Sequence, residues 1–111
     1  MIVRIADNII SPLGLTSSEN YEAVKAGRSE LKRHDGLWDL PEPFTASLME
    51  REVVEEAVAP LHLDGRYTFF EKMIILSASK AIQEAGIDPA SDRVLFILST
   101  TKGNVFCWMK T

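Results

Sequence analysis

Few side chains in this sequence could carry covalent or acid–base chemistry, and they are scattered. The one cysteine, Cys107, stands in the apolar run Val105-Phe106-Cys107-Trp108-Met109. No activating partner or helix N-terminus is evident beside it, so the run predicts a structural thiol rather than a nucleophile. His34 and His62 stand alone, in no HxxxH pair and no Cys/His cluster, so metal ligation is unsupported. Glu50, Glu52, Glu55 and Glu56 crowd one short segment. A charge run of that kind reads as the solvated face of a helix, where a carboxylate has no cause to titrate abnormally. Ser99-Thr100-Thr101-Lys102-Gly103-Asn104 follows an apolar run as a phosphate loop would. Its lysine, however, precedes its glycine, and the GxxxxGK[ST] order is absent.

The elements that would position these residues are those of one small domain. The chain has 111 residues, of which 46% are hydrophobic and 25% charged, as in ordinary globular proteins. A net charge of -4 without a basic stripe argues against a nucleic-acid partner. One cysteine and no secretory signal core point to the cytoplasm. Nothing approaches the ~20 apolar residues of a membrane span.

The chain is organised around residues 66–86. Phe70, Met73, Ile74, Ala78, Ala81 and Ile82 fall at three-four spacing, and Ile75 and Leu76 widen the apolar arc. The pattern predicts a long central helix covered on most sides, with a small-residue row through Ala81 and a stop at Gly86. Residues 1–10, rich in isoleucine and valine, predict a first strand ended by Ser11-Pro12-Leu13-Gly14. Thr16 and Glu19 form a capping-box pair opening a helix over 17–26, with Tyr21, Ala23 and Val24 inward and Gly27 closing it. Residues 28–43 read as a loop anchored by Leu37, Trp38 and Leu40. A short strand follows over 44–48 and an acidic helix over 49–59. The apolar run 93–99 has strand length and suits a sheet buried on both faces. The expectation is an α/β fold: a small mixed sheet of about three strands packed with a long central helix and shorter helices.

In order and spacing these pieces resemble the N-terminal segment of the β-ketoacyl-[acyl carrier protein] synthases, condensing enzymes of the thiolase-like fold. The matching stretches are Ile9-Ile10-Ser11-Pro12-Leu13-Gly14, Ala26-Gly27-Arg28-Ser29, the helix end from Ala81 to Ile87, and the strand and loop from Ile97 to Asn104. The likeness covers residues 1 to about 104. It implies a partial thiolase-like layer in one truncated domain over 1–111, belonging to fatty-acid or polyketide-type synthesis. It also implies what is missing. The family's nucleophilic cysteine sits beyond the Thr/Gly loop, at a turn into a helix N-terminus, and its two histidines come later still. Cys107 is too close to the loop, whereas His34 and His62 precede it. No residue is therefore carried over as catalytic, cofactor-binding or metal-binding.

The expectation is a fragment inactive by itself, with acyl carrier protein as partner only as part of a longer enzyme. The alternative is a small non-catalytic interaction domain that keeps the scaffold. An enzyme using Cys107 stands third. The run 105–109 has nothing in the sequence to cover it, so self-association is expected.

Overall fold

The computed structural model describes residues 1–63 and 65–104. They form a small mixed α/β protein with three α-helices and a two-stranded antiparallel sheet. The chain divides into two compact units, residues 9–50 and a second made of residues 1–8 and the part from Arg51 onward.

In the first unit, Ser11-Pro12-Leu13-Gly14 makes a closed turn. Ser11 N donates to Gly14 O at 2.9 Å, and Gly14 N donates back to Ser11 O at 3.1 Å. Helix α1 (Ser17–Lys25) follows, its first turn capped by Thr16 Oγ1, which accepts from Glu19 N at 3.1 Å. The reciprocal bond of the expected capping box lands one residue earlier: Glu19 Oε2 accepts from Leu15 N at 2.7 Å. Gly27, at φ 76°, lets the chain turn left-handed past the helix end, so that Gly27 N reaches Val24 O and Arg28 N reaches Ala23 O. Those two bonds satisfy the last carbonyls.

The buried face of α1 differs from the expected one. Ala23 is buried as anticipated, but Tyr21 and Val24 are exposed and Asn20 is buried in their place. A dense set of polar bonds, described below, has turned the helix against its apolar pattern.

Residues 28–43 are more ordered than a loop. Strand β1 (Lys32–His34) pairs antiparallel with β2 (Phe44–Ala46), with Lys32 opposite Ala46, Arg33 opposite Thr45 and His34 opposite Phe44. Between them lies a 3-10 turn (Leu37–Asp39). Trp38 and Leu40 are exposed there rather than tucked down as anchors. Trp38 and Asp39 take left-handed φ values of 57° and 56°, which cost an L residue roughly 1–2 kcal/mol each. Trp38 recovers part of that by stacking on Phe44, ring centroids 5.6 Å apart and planes 18° from parallel. Asp39 has no comparable ring contact, so Asp39→Gly is expected to stabilise the protein by about 0.5–1 kcal/mol despite glycine's entropy. The midpoint of urea unfolding checks this.

In the second unit, α2 (Arg51–Val58) packs against α3 (Phe69–Ala85). Val54 and Val58 on α2 and Leu76 on α3 are its buried apolar side chains among the described residues. The outward placement of Glu50, Glu52 and Glu56 agrees with the acidic pattern. Helix α3 begins with a complete capping box, Thr68 Oγ1 accepting from Glu71 N and Glu71 Oε1 from Thr68 N, each at 3.1 Å. It ends at Gly86, φ 69°, as expected. The helix is half-buried along most of its length rather than enclosed, and Leu76 is its one buried residue.

Two expected strands are not formed. Residues 1–10 and 94–100 belong to no helix or strand. The expectation of about three strands in a partly parallel sheet is thus corrected to two strands, antiparallel and joined across nine residues without a helical crossover. The physical reason is pairing: an apolar run becomes a strand only when a neighbour takes its amides and carbonyls, and no described segment does so. The run 105–109 and Cys107 lie outside the described residues.

Candidate functional site

Within each unit, the described residues assemble no cluster of chemistry-bearing side chains. His34 lies on β1, its ring 5.3 Å from that of Phe44 and its Nε2 3.2 Å from Ala46 O. These contacts help hold the β1–β2 hairpin. His62 closes the 3-10 turn that follows α2 (Ala59–Leu61), with left-handed φ of 54°. Glu55 is bound to Lys72 Nζ by two contacts of 2.9 and 3.0 Å that tie α2 to α3. Among the described residues no group of three or more His, Cys, Asp or Glu could hold a metal ion.

An open pocket of about 390 Å³ lies beside α1, lined by Leu13, Glu19, Glu22, Ala23, Ala26 and Arg28. Its charges are already engaged in part: Glu19 caps the helix, and Arg28 lies 3.6 Å from Glu30. Nothing in it pairs a nucleophile with a base, which acyl transfer requires.

Asn20 is the polar centre of residues 9–50, a role that sequence reasoning missed. Only 7% exposed, its Nδ2 lies within hydrogen-bond distance of three carbonyls, Ile9 O at 3.0 Å, Gly14 O at 3.1 Å and Thr16 O at 2.7 Å, which share its two N–H donors. Its Oδ1 accepts from Ser11 Oγ. One amide thereby fastens α1 to the turn before it. The sole available signal was a polar residue three before Ala23, which pattern reading assigns to solvent.

The Thr/Gly loop is held in a similar way. Gly103 N donates to Thr100 Oγ1 at 3.1 Å, with Gly103 at φ 65°. Thr68 Oγ1, the cap of α3, donates to Asn104 Oδ1 at 2.9 Å. On the other side of the sequence, Asn8 Nδ2 donates to Ser77 Oγ in the middle of α3 at 2.9 Å. Asn8, in the first apolar segment that lacks a strand partner, and Asn104, just beyond the second, are therefore each bonded to α3 or its cap. The segments remain bare: Leu95, Phe96, Ile97 and Leu98 are 82%, 61%, 85% and 73% exposed, and Ile2, Val3 and Ile5 are exposed as well.

No protein-family model matches the chain, and searches of curated proteins and of solved structures returned no significant match. No helix of the described residues is long and apolar enough to cross a membrane.

Proposed function

We propose that this chain is a scaffold portion of a 3-oxoacyl-[acyl carrier protein] synthase-like condensing enzyme, a partial thiolase-like layer without the reacting groups. One observation carries the reading: Asn8, in the first apolar segment, and Asn104, five residues beyond the second, are each bonded to α3 or its cap. The second segment leaves α3 at Gly86 and is back at the helix's first residue by Asn104. Eighteen residues thus retrace a helix about 25 Å long, which is how a strand runs beside the helix of an α/β layer. The closed Ser11–Gly14 turn, the Gly27 helix end and the Gly86 stop fall where the family motifs fall. Acyl carrier protein is then a partner of the longer enzyme, in a cytoplasmic pathway of fatty-acid or polyketide type.

Residues 1–111 by themselves are expected to give no ketoacyl product from acyl- and malonyl-loaded carrier protein. Covalent acyl transfer needs a thiolate with its base, and no residue of this chain matches the family's nucleophilic cysteine or its two histidines. Product above a no-protein control would overturn this. The positive arm is a chimera in which residues 1–104 replace the N-terminal segment of a characterised condensing enzyme. Retained turnover supports the scaffold reading, and a folded but inactive chimera opposes it. The bare side chains at 95–98 also favour a second reading, a non-catalytic interaction domain whose function is to bind a partner.

A further inference from the structure

We propose that Asp35–Gly36, where the chain leaves β1, is a modification site at which isoaspartate forms spontaneously in the folded protein. The inference goes beyond the enzyme reading and does not depend on it.

The reaction needs a backbone amide free to attack the side-chain carboxyl of the residue before it. Gly36 N bonds to Asp35 Cγ, while the carboxyl OH and the amide proton leave as water. Water then adds to the main-chain carbonyl carbon of Asp35 in this succinimide and breaks its bond to Gly36 N. The peptide now runs through Cγ, the former α-carboxyl becomes the side arm, and no oxidant or cofactor takes part. Glycine suits the second position because it has no side chain to obstruct the closing ring.

Both residues are exposed, in a bend between β1 and the 3-10 turn. Among the described residues, neither the Asp35 carboxylate nor the Gly36 amide has a hydrogen bond or ion pair. Gly36 stands at φ 73°, and nothing lies within 4 Å of where a Cβ would sit, so that side is open to the ring. The other described aspartates each fail one condition. Asp88 precedes Pro89, which has no amide proton, and its Oδ1 already accepts from Ala90 N at 3.0 Å. Asp39 precedes Leu40, whose N donates to Leu37 O at 3.3 Å. Asp92 precedes Arg93, whose N donates to Ser91 Oγ at 3.2 Å. The carboxylate of Asp7 is held by Arg4. At Asp35 the added methylene falls between His34 and Trp38, whose rings lie 5.3 and 5.6 Å from that of Phe44. Isomerisation therefore lengthens the path joining two rings that share one support.

The test incubates the full chain at physiological temperature in mildly acidic buffer, with circular dichroism checking that it stays folded. Isoaspartate is labelled by an isoaspartyl methyltransferase with methyl-labelled S-adenosylmethionine, and is placed by electron-transfer fragmentation. Placement separates Asp35 from Asp64, which also precedes a glycine and lies outside the described residues. Isoaspartate at position 35 is expected to form within about tenfold of its rate in a free peptide of residues 33–37, because no folded-state bond must break first. Asp35→Glu, which would have to close a larger ring, is expected to abolish the product there without altering the circular dichroism spectrum. Asp35→Asn, which reaches the same succinimide by losing ammonia, is expected to give it faster. A folded chain more than about tenfold slower than the peptide would overturn the proposal. So would label at Asp39, Asp88 or Asp92 with none at Asp35.

Discussion

Asn20→Asp is expected to be among the most damaging single substitutions in residues 9–50, costing about 3–5 kcal/mol at neutral pH. The change is nearly isosteric, so packing is not the cause. It replaces the Nδ2 donor that serves the carbonyls of Ile9, Gly14 and Thr16 with a carboxylate oxygen facing the same three acceptors. Asn20→Ala leaves those groups without the amide but adds no charge, and should cost less, about 2 kcal/mol. The two variants also separate by pH. Burial and the surrounding carbonyls raise the introduced carboxyl above its unfolded value of about 3.9. The folded state then holds the proton more tightly than the unfolded one, so stability falls as the pH rises from about 4 through the raised value. Below pH 4, where the acid is neutral in both states, the deficit is smallest; Asn20→Ala should show no such slope relative to the parent. Amide exchange across α1 as a function of pH reads this directly. A flat difference between the two variants would mean that the amide does not hold the helix to its turn.

Leu76→Ala is expected to be the corresponding weak point of the second unit, at about 2–4 kcal/mol. Leu76 is buried on α3 in the unit where α2 contributes Val54 and Val58. Its truncation leaves a cavity that two helices joined by the Lys72–Glu55 contact cannot easily collapse. Leu95→Ala, also a loss of three carbons but from an exposed side chain, serves as the control and should change stability very little in the monomer. Paired urea denaturation curves decide it, and equal shifts would show that Leu76 is not a core residue.

These sites show what the sequence made legible. Helix ends were readable, because Thr16, Gly27 and Gly86 act through local geometry that depends on few neighbours. The capping box at Thr68 and Glu71 was there to be read in the same way. Side-chain faces were less so: the periodicity of α1 pointed Tyr21 and Val24 inward, and the hydrogen bonds of Asn20 prevailed over it. Strands were the least legible. Lys32-Arg33-His34 has little strand preference and is a strand because β2 lies beside it. Residues 94–98 have every preference for a strand and are not one, for want of a neighbour. Composition reports what could pair, whereas pairing is a property of two segments. As for a site, His34 is engaged within its hairpin and Glu55 by Lys72, and among the described residues no group of three or more His, Cys, Asp or Glu could hold a metal ion.

The bond between Asn8 and Ser77 spans 69 positions of chain. During synthesis at about 5–20 residues per second, the first residues are made roughly 3–14 seconds before the serine that will hold them exists. For that interval Ile2, Val3 and Ile5 are hydrophobic and without their anchor, while the turn at Ser11–Gly14 and helix α1 need only near neighbours to form. Residues 1–8 are therefore translated well before the residue that secures Asn8. Through that interval they are a bare apolar stretch of the kind a holding chaperone covers.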